Sequence, residues 1–272
     1  MELYKTDYSS LNRGMGKLDK VLLKCQDDSF YKLIQFLYVS HNQKAIVLKA
    51  LYDRNLDIVL KFNYNNYSEK EFNTSNELLH LPNFLRYKCL IKCNDNIKNI
   101  INQKGNIMNY KMCHYGEDEV GILVMKYYRF GCVENYEWNE NNFEILKNII
   151  KQVIFAVIYA YKTKGFIHTD LHAGNVLLKP KRKDEIIYGD KKLEIKELEA
   201  VIIDFEKSKM NDCNLMRLFR DIDRFINNIT CSNNISLYIK YEERITYNIL
   251  EQSIENNFYD EIEKIIDNIT IR

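Results

Sequence analysis

Residues 166–178, Phe-Ile-His-Thr-Asp-Leu-His-Ala-Gly-Asn-Val-Leu-Leu, constrain this chain more than any other stretch. An apolar pair leads into His168-Thr169-Asp170. Asn175 follows five residues after the aspartate, and Val176 to Leu178 reads as a strand. A second short strand is expected at Ala200 to Ile203, ending on Asp204-Phe205. Asp and Asn often do no more than close turns. An ordered set of aspartate, asparagine and aspartate, each beside an apolar strand, is a narrower arrangement. The five-residue step folds the loop back so that Asp170 and Asn175 face a common point, and Asp204 ends the second strand. Mg²⁺ prefers hard oxygen ligands. Phosphoryl transfer needs a carboxylate to orient the attacking hydroxyl and accept its proton. Asp170 is the expected base, and Asn175 and Asp204 the expected Mg²⁺ ligands.

The rest of the composition leaves room for such chemistry and excludes little else. At 272 residues the chain can bury a large core, and 39 Lys and Arg against 38 Asp and Glu give no basic field for nucleic acid. The richest apolar run, Ile149 to Tyr161, is broken by Lys151 and Gln152, so no membrane span is expected. The first residues lack the apolar core of a signal peptide. Seven cysteines without framework spacing suit a reducing compartment, so an intracellular, cytoplasmic protein is expected. The frequent Asn, Ile, Lys and Tyr, with two prolines and nine glycines, read as the bias of an AT-rich genome.

Residues 1–28 form an N-terminal extension. Three strand-like runs follow, at 33–39, 45–51 and 56–62, with Tyr52-Asp53-Arg54-Asn55 as the turn between the last two. The order H-x-D-x-x-x-x-N … D-F is that of the protein-kinase signature set, in which a lysine on the third strand holds the nucleotide's α- and β-phosphates. Lys61 is the candidate for it. Its ion-pair partner is expected on a helix from Ser68 through Leu81. Glu71 is preferred there, with Glu69 and Glu77 as alternatives. The pattern is broken at one place. No glycine lies between Gly16 and Gly105, so the loop Ser40 to Lys44 lacks the glycines that let backbone N–H groups approach phosphates closely.

A fourth strand is expected at Leu85 to Lys92, a polar loop at 94–118, and a buried strand at Val120 to Met125. Lys126-Tyr127-Tyr128 is the expected connector, with Met125 to Tyr128 beside the adenine. Residues 142–163 keep helical spacing on one face, through Leu146, Ile149, Ile150, Val153, Val157 and Ala160, and Gly165 ends the helix. An extra hairpin is read at 186–188 and 193–195, and helices at 215–229, 237–251 and 259–266. Asp221 either braces the loop of Asp170 by accepting backbone N–H bonds or is an ordinary exposed aspartate. Cys89, Cys93, Cys113 and His114 lack paired zinc-ligand spacing, and buried strand thiols are the preferred reading. The basic run Lys179 to Lys183 reads as a solvated turn into the hairpin.

His168-Thr-Asp-Leu-His-Ala-Gly-Asn-Val-Leu-Leu-Lys, the hairpin insert and Ile-Ile-Asp-Phe-Glu together resemble the haspin group of atypical protein kinases. That group also has a histidine two after the aspartate and lacks both the D-F-G glycine and the Ala-Pro-Glu segment. The resemblance covers residues 30–230 and is strongest from 120 to 225; with the AT-rich bias it is most like haspin-related kinases of large DNA viruses. It implies an α+β, bilobal protein-kinase-like fold. Residues 29–125 would be a five-stranded antiparallel N-lobe and 126–272 a reduced helical C-lobe, with ATP between them. It further implies ATP- and Mg²⁺-dependent phosphorylation of Ser or Thr in a protein substrate by a monomer. Thr169 replaces the arginine that usually reads a phosphorylated activation loop, so control of that kind is not expected. Asp-Leu-His-x-Gly-Asn and Ile-Asp-Phe-Glu are also similar to choline and aminoglycoside kinases. A small-molecule kinase is therefore the second reading, and a pseudokinase scaffold with the glycine-free loop the third.

Overall fold

The computed structural model describes residues 31–39, 45–52, 56–92, 120–232, 237–238, 245–256 and 259–271. The extension 1–28, the loop 40–44, the turn at 53–55, the polar loop 94–118 and Cys93, Cys113 and His114 lie outside the described residues. The chain divides into two units, Met1–Phe72 with Tyr87–Tyr127, and Asn73–Arg86 with Tyr128–Arg272.

The first unit is built on a mixed-order antiparallel sheet. Its strands are β1 (Tyr31–Val39), β2 (Ile46–Tyr52), β3 (Leu56–Tyr64), β4 (Cys89–Lys92) and β5 (Val120–Lys126). They lie in the order β1-β2-β3-β5-β4. Alternation in β2 buries Ile46, Leu48 and Ala50, whereas β3 is buried from Ile58 through Asn63 on both faces. Helix α1 (Asn65–Glu77) begins in this unit. Its inward stripe, Ser68, Glu71, Phe72 and Ser75, has the three- and four-residue spacing of one helical face. Close approach to β5 depends on Gly121, where an added Cβ would lie 2.6 Å from the Ser68 Cβ. The Ser68 hydroxyl donates to the Gly121 carbonyl at 3.2 Å.

The second unit is centred on α2 (Phe143–Lys164), which buries Ile149, Ile150, Val153 and Ile154 completely. Gly165 closes it in the left-handed region at φ 56°, its N–H reaching the Ala160 and Tyr161 carbonyls. Two short antiparallel pairs follow: β6 (Val176–Pro180) with β9 (Leu198–Ile202), and β7 (Glu185–Tyr188) with β8 (Lys191–Glu194). Tyr188 roots the β7–β8 hairpin, its buried hydroxyl donating to the Asn83 side chain at 2.5 Å. Helices α3 (Leu215–Ser232), α4 (Tyr247–Asn256) and α5 (Tyr259–Asp267) complete the unit, with β10 (Leu237–Tyr238) paired to β11 (Thr270–Ile271). Among the described residues no helix is long and apolar enough to cross a membrane.

Four sequence readings are corrected. Residues 85–88 do not extend β4, because the Leu85 N–H bonds to the Ile202 carbonyl of β9 at 2.9 Å. The Ile202 N–H in turn bonds to the Asn83 carbonyl, within the second unit. The helix expected at 237–251 is instead the strand β10 and the later helix α4. Cys89 is disulfide-bonded rather than a buried strand thiol. The basic run Lys179 to Lys183 is not all turn: Lys179 lies on β6, where it pairs with Glu199 of β9, and only from Lys181, which pairs with Asp184, does the chain bend toward β7.

Candidate active site

In the first unit Lys61 and Glu71 meet. Lys61 lies on β3 between Val47 of β2 and Leu123 of β5, and its ammonium is 2.7 Å from Glu71 Oε2. Both side chains are nearly inaccessible, at 9% and 0%. The Tyr87 hydroxyl donates to the other oxygen of Glu71. Helical phase selects this glutamate: Glu69 instead accepts from the Asn65 amide at 2.8 Å, and Glu77 is exposed. A buried ion pair contributes little net stability, because desolvation offsets its attraction. Such a pair serves to fix an ammonium in a defined place.

Met125 lies buried opposite Val59 at the end of β5. Lys126 closes that strand, and the Tyr127 N–H reaches the Asp57 carbonyl at 3.4 Å while its ring lies under the Lys49 ammonium. Tyr128 begins the second stretch of the other unit. It is half-buried, and desolvation pushes its hydroxyl up to about 12.

In the second unit the Asp170 loop is held from several sides. Phe166, Ile167, Leu171 and Ala173 are buried and anchor it, with Phe166 edge-on to Phe84 and Phe205. Asn175 Nδ2 donates to the Asp170 carbonyl at 3.0 Å, so the amide nitrogen is committed to its own loop. That fixes the orientation of the amide oxygen, the atom suited to a hard cation. The Ile203 N–H donates to the Asn175 carbonyl at 3.0 Å, tying the residue before Asp204 to the same loop. Asp204 and Thr169 both adopt left-handed backbone, at φ 69° and 64°. For a β-branched threonine this conformation is costly, and surrounding bonds must enforce it. They are present: the Thr169 N–H donates to Asp221 at 2.7 Å, and its hydroxyl donates to the Lys207 carbonyl at 2.7 Å.

Asp221 is therefore the brace. It is 3% exposed, and Thr169 and Leu171 both donate backbone bonds to it. Burial pushes its carboxyl up, against those bonds. One face of α3 makes three of the attachments. Arg224 donates to the Thr169 carbonyl at 3.2 Å, and Asn228 accepts from the Ala173 N–H at 3.0 Å. His168 is buried, its Nε2 2.8 Å from the Ile203 carbonyl and its Nδ1 without a partner among the described residues. Burial holds its imidazole below the usual histidine range, so it is neutral and Nε2 carries the proton.

The Asp170 carboxylate is 27% exposed and carries a cation on each oxygen: Lys207 at 2.6 Å on Oδ2 and Arg224 at 3.1 Å on Oδ1. Neither cation was among the residues singled out from the sequence. The helical phase of Asp221, Arg224 and Asn228 could have revealed Arg224. Nothing in the linear sequence points to Lys207. Among the described residues no group of three or more His, Cys, Asp or Glu could hold a metal. Asn175 and Asp204 fit an ion that takes its other oxygens from phosphate and water, as Mg²⁺ commonly does.

Residues 117–224 match the model of the ABC1 atypical kinase-like domain. The chain is also similar to a probable serine/threonine-protein kinase of Dictyostelium discoideum, 39% identical over 75 residues. That stretch is 25% of this chain and 6% of the relative, so the chain spans a small fraction of the curated protein it matches. The matches and the mixed helix and antiparallel sheet support an atypical kinase-like phosphotransferase. The family matched is a different one from the haspin group that the motifs resemble.

Proposed function

We propose that this chain is an ATP- and Mg²⁺-dependent protein kinase acting on Ser or Thr, its first unit a five-stranded kinase N-lobe and its second a helical C-lobe. The observation that carries the reading is the fixed relation of Asp170 and Asn175 on one braced loop. It supports a base and a cation ligand serving the same phosphate. Asp170 orients the acceptor hydroxyl and takes its proton. Asn175 and Asp204 would hold Mg²⁺, which when bound neutralises charge on the phosphate oxygens. Lys61, steadied by Glu71, would bind the α- and β-phosphates, and Met125 to Tyr128 would line the adenine. The haspin-like motif set favours a protein acceptor over a small molecule.

The test is transfer from radiolabelled ATP with Mg²⁺ to histone, casein and choline side by side, with Asp170→Asn as control. Label on a protein, lost in a variant whose circular dichroism is unchanged, is the expected result. Label on choline alone would establish the small-molecule reading instead. An Asp170→Asn protein with full activity would remove Asp170 from the role of base.

A further inference from the structure

Each oxygen of Asp170 already carries a cation, so an acceptor hydroxyl must compete with Lys207 and Arg224 for the carboxylate. The two cations are held differently. Arg224 makes a second bond, to the Thr169 carbonyl, and extends from a helix that braces the loop in three places. Lys207 reaches Asp170 through its ammonium alone, on a side chain 63% exposed. An ion pair this open to water holds weakly. The Lys207 backbone, in contrast, is fixed. Its carbonyl accepts from Thr169, and Lys209 exchanges both backbone bonds with Ile167, at 2.8 and 2.9 Å. Lys207 is thus a flexible four-carbon stem on a rigid base, three residues after Asp204 and in contact with the expected base. His172 is turned to its own loop, where its Nδ1 accepts from the Gly174 N–H at 3.1 Å.

We propose that Lys207 is the cation that meets the terminal phosphate of the nucleotide, parked on Asp170 Oδ2 until that phosphate binds. This role rests on the phosphotransferase reading above. When the terminal phosphate enters, the ammonium moves from the carboxylate to the phosphate oxygens, leaving Oδ2 open to the acceptor hydroxyl. In the transfer the acceptor oxygen–phosphorus bond forms as the bond to the ADP β-phosphate oxygen breaks. ADP departs with that electron pair, and the hydroxyl proton passes to Asp170. Lys207 stays protonated throughout and balances charge on the transferred group.

The experiment compares the affinities of ADP and a non-hydrolysable ATP analogue, measured by calorimetry with Mg²⁺, in wild type, Lys207→Ala and Lys207→Arg. The contact needs the third phosphate. Lys207→Ala should weaken the analogue about tenfold while ADP stays within about twofold, and Lys207→Arg should restore most of the difference. ATP hydrolysis by Lys207→Ala should fall about 100-fold. If ADP and the analogue keep their wild-type affinities while hydrolysis falls, Lys207 only positions Asp170 and the inference is overturned. Equal weakening of both ligands overturns it too. A wild type that binds neither ligand would bring down the functional reading itself, a result distinct from failure of the Lys207 contact.

Discussion

Replacing Lys61 by methionine removes an ammonium of similar length from a site where its partner has no access to water. Glu71 is 0% exposed and the ion pair is 2.7 Å long. At an effective dielectric of about 20, charges at that distance attract by about 6 kcal/mol, and desolving each ion costs several kcal/mol. The intact pair is therefore close to neutral for stability. Lys61→Met leaves the Glu71 carboxylate buried with the Tyr87 hydroxyl but without its ammonium, an expected loss of about 3–5 kcal/mol. Against a total stability of about 5–15 kcal/mol this is a large fraction. The double variant Lys61→Met/Glu71→Leu removes both charges at nearly constant volume. It should lie within about 1–2 kcal/mol of wild type, the remainder being the Tyr87 bond to Glu71. Urea unfolding followed by far-UV circular dichroism of wild type, both single variants and the double variant closes the cycle, and the double variant should lose less than the sum of the single losses. The double variant should regain stability and still transfer no phosphate. Additive losses would refute the reasoning, since they would mean that the two charges do not depend on one another.

Two further outcomes follow from the second unit. Burial holds the His168 imidazole below its ordinary value of 6.5, so the unfolded chain takes up a proton before the folded one does. Stability is present above that value and falls as pH drops below it, by at most about 1.4 kcal/mol per pH unit. Asp221, which faces His168, has its carboxyl raised and acts in the opposite sense at lower pH. The advantage of wild type over His168→Asn should accordingly shrink between pH 7.5 and 5.5 in urea titrations, and a constant difference would contradict a buried neutral ring. Gly165 and Gly131 give a paired test of backbone strain, both having positive φ. At Gly165 a Cβ would lie 2.8 Å from the Asn211 Cα, whereas at Gly131 nothing lies within 4 Å. Gly165→Ala should cost about 2–4 kcal/mol and Gly131→Ala about 1–2 kcal/mol, read from thermal or urea unfolding; equal losses would show that the Asn211 contact relaxes freely.

The sequence by itself determined the local elements and the identities of the polar set. An apolar run closed by turn residues placed β2, and apolar helical spacing placed α2 and its end at Gly165, because these patterns depend only on neighbours along the chain. The five-residue step from Asp170 to Asn175, and the strand leading to Asp204, were legible for the same reason. Tertiary structure decided what those elements pair with. Leu85 bonds to Ile202 across more than a hundred residues, so a stretch that reads as strand leaves β4. Glu71 was one of three glutamates until the approach of α1 to β5, permitted by Gly121, turned its face toward Lys61. Whether Asp221 braces the loop was decided, and the cations Lys207 and Arg224 were brought to Asp170, only once chain separated by 37 to 54 residues was folded onto the Asp170 loop. Linear spacing cannot encode such contacts, because a charged side chain carries no periodic signal of the partner that it will meet.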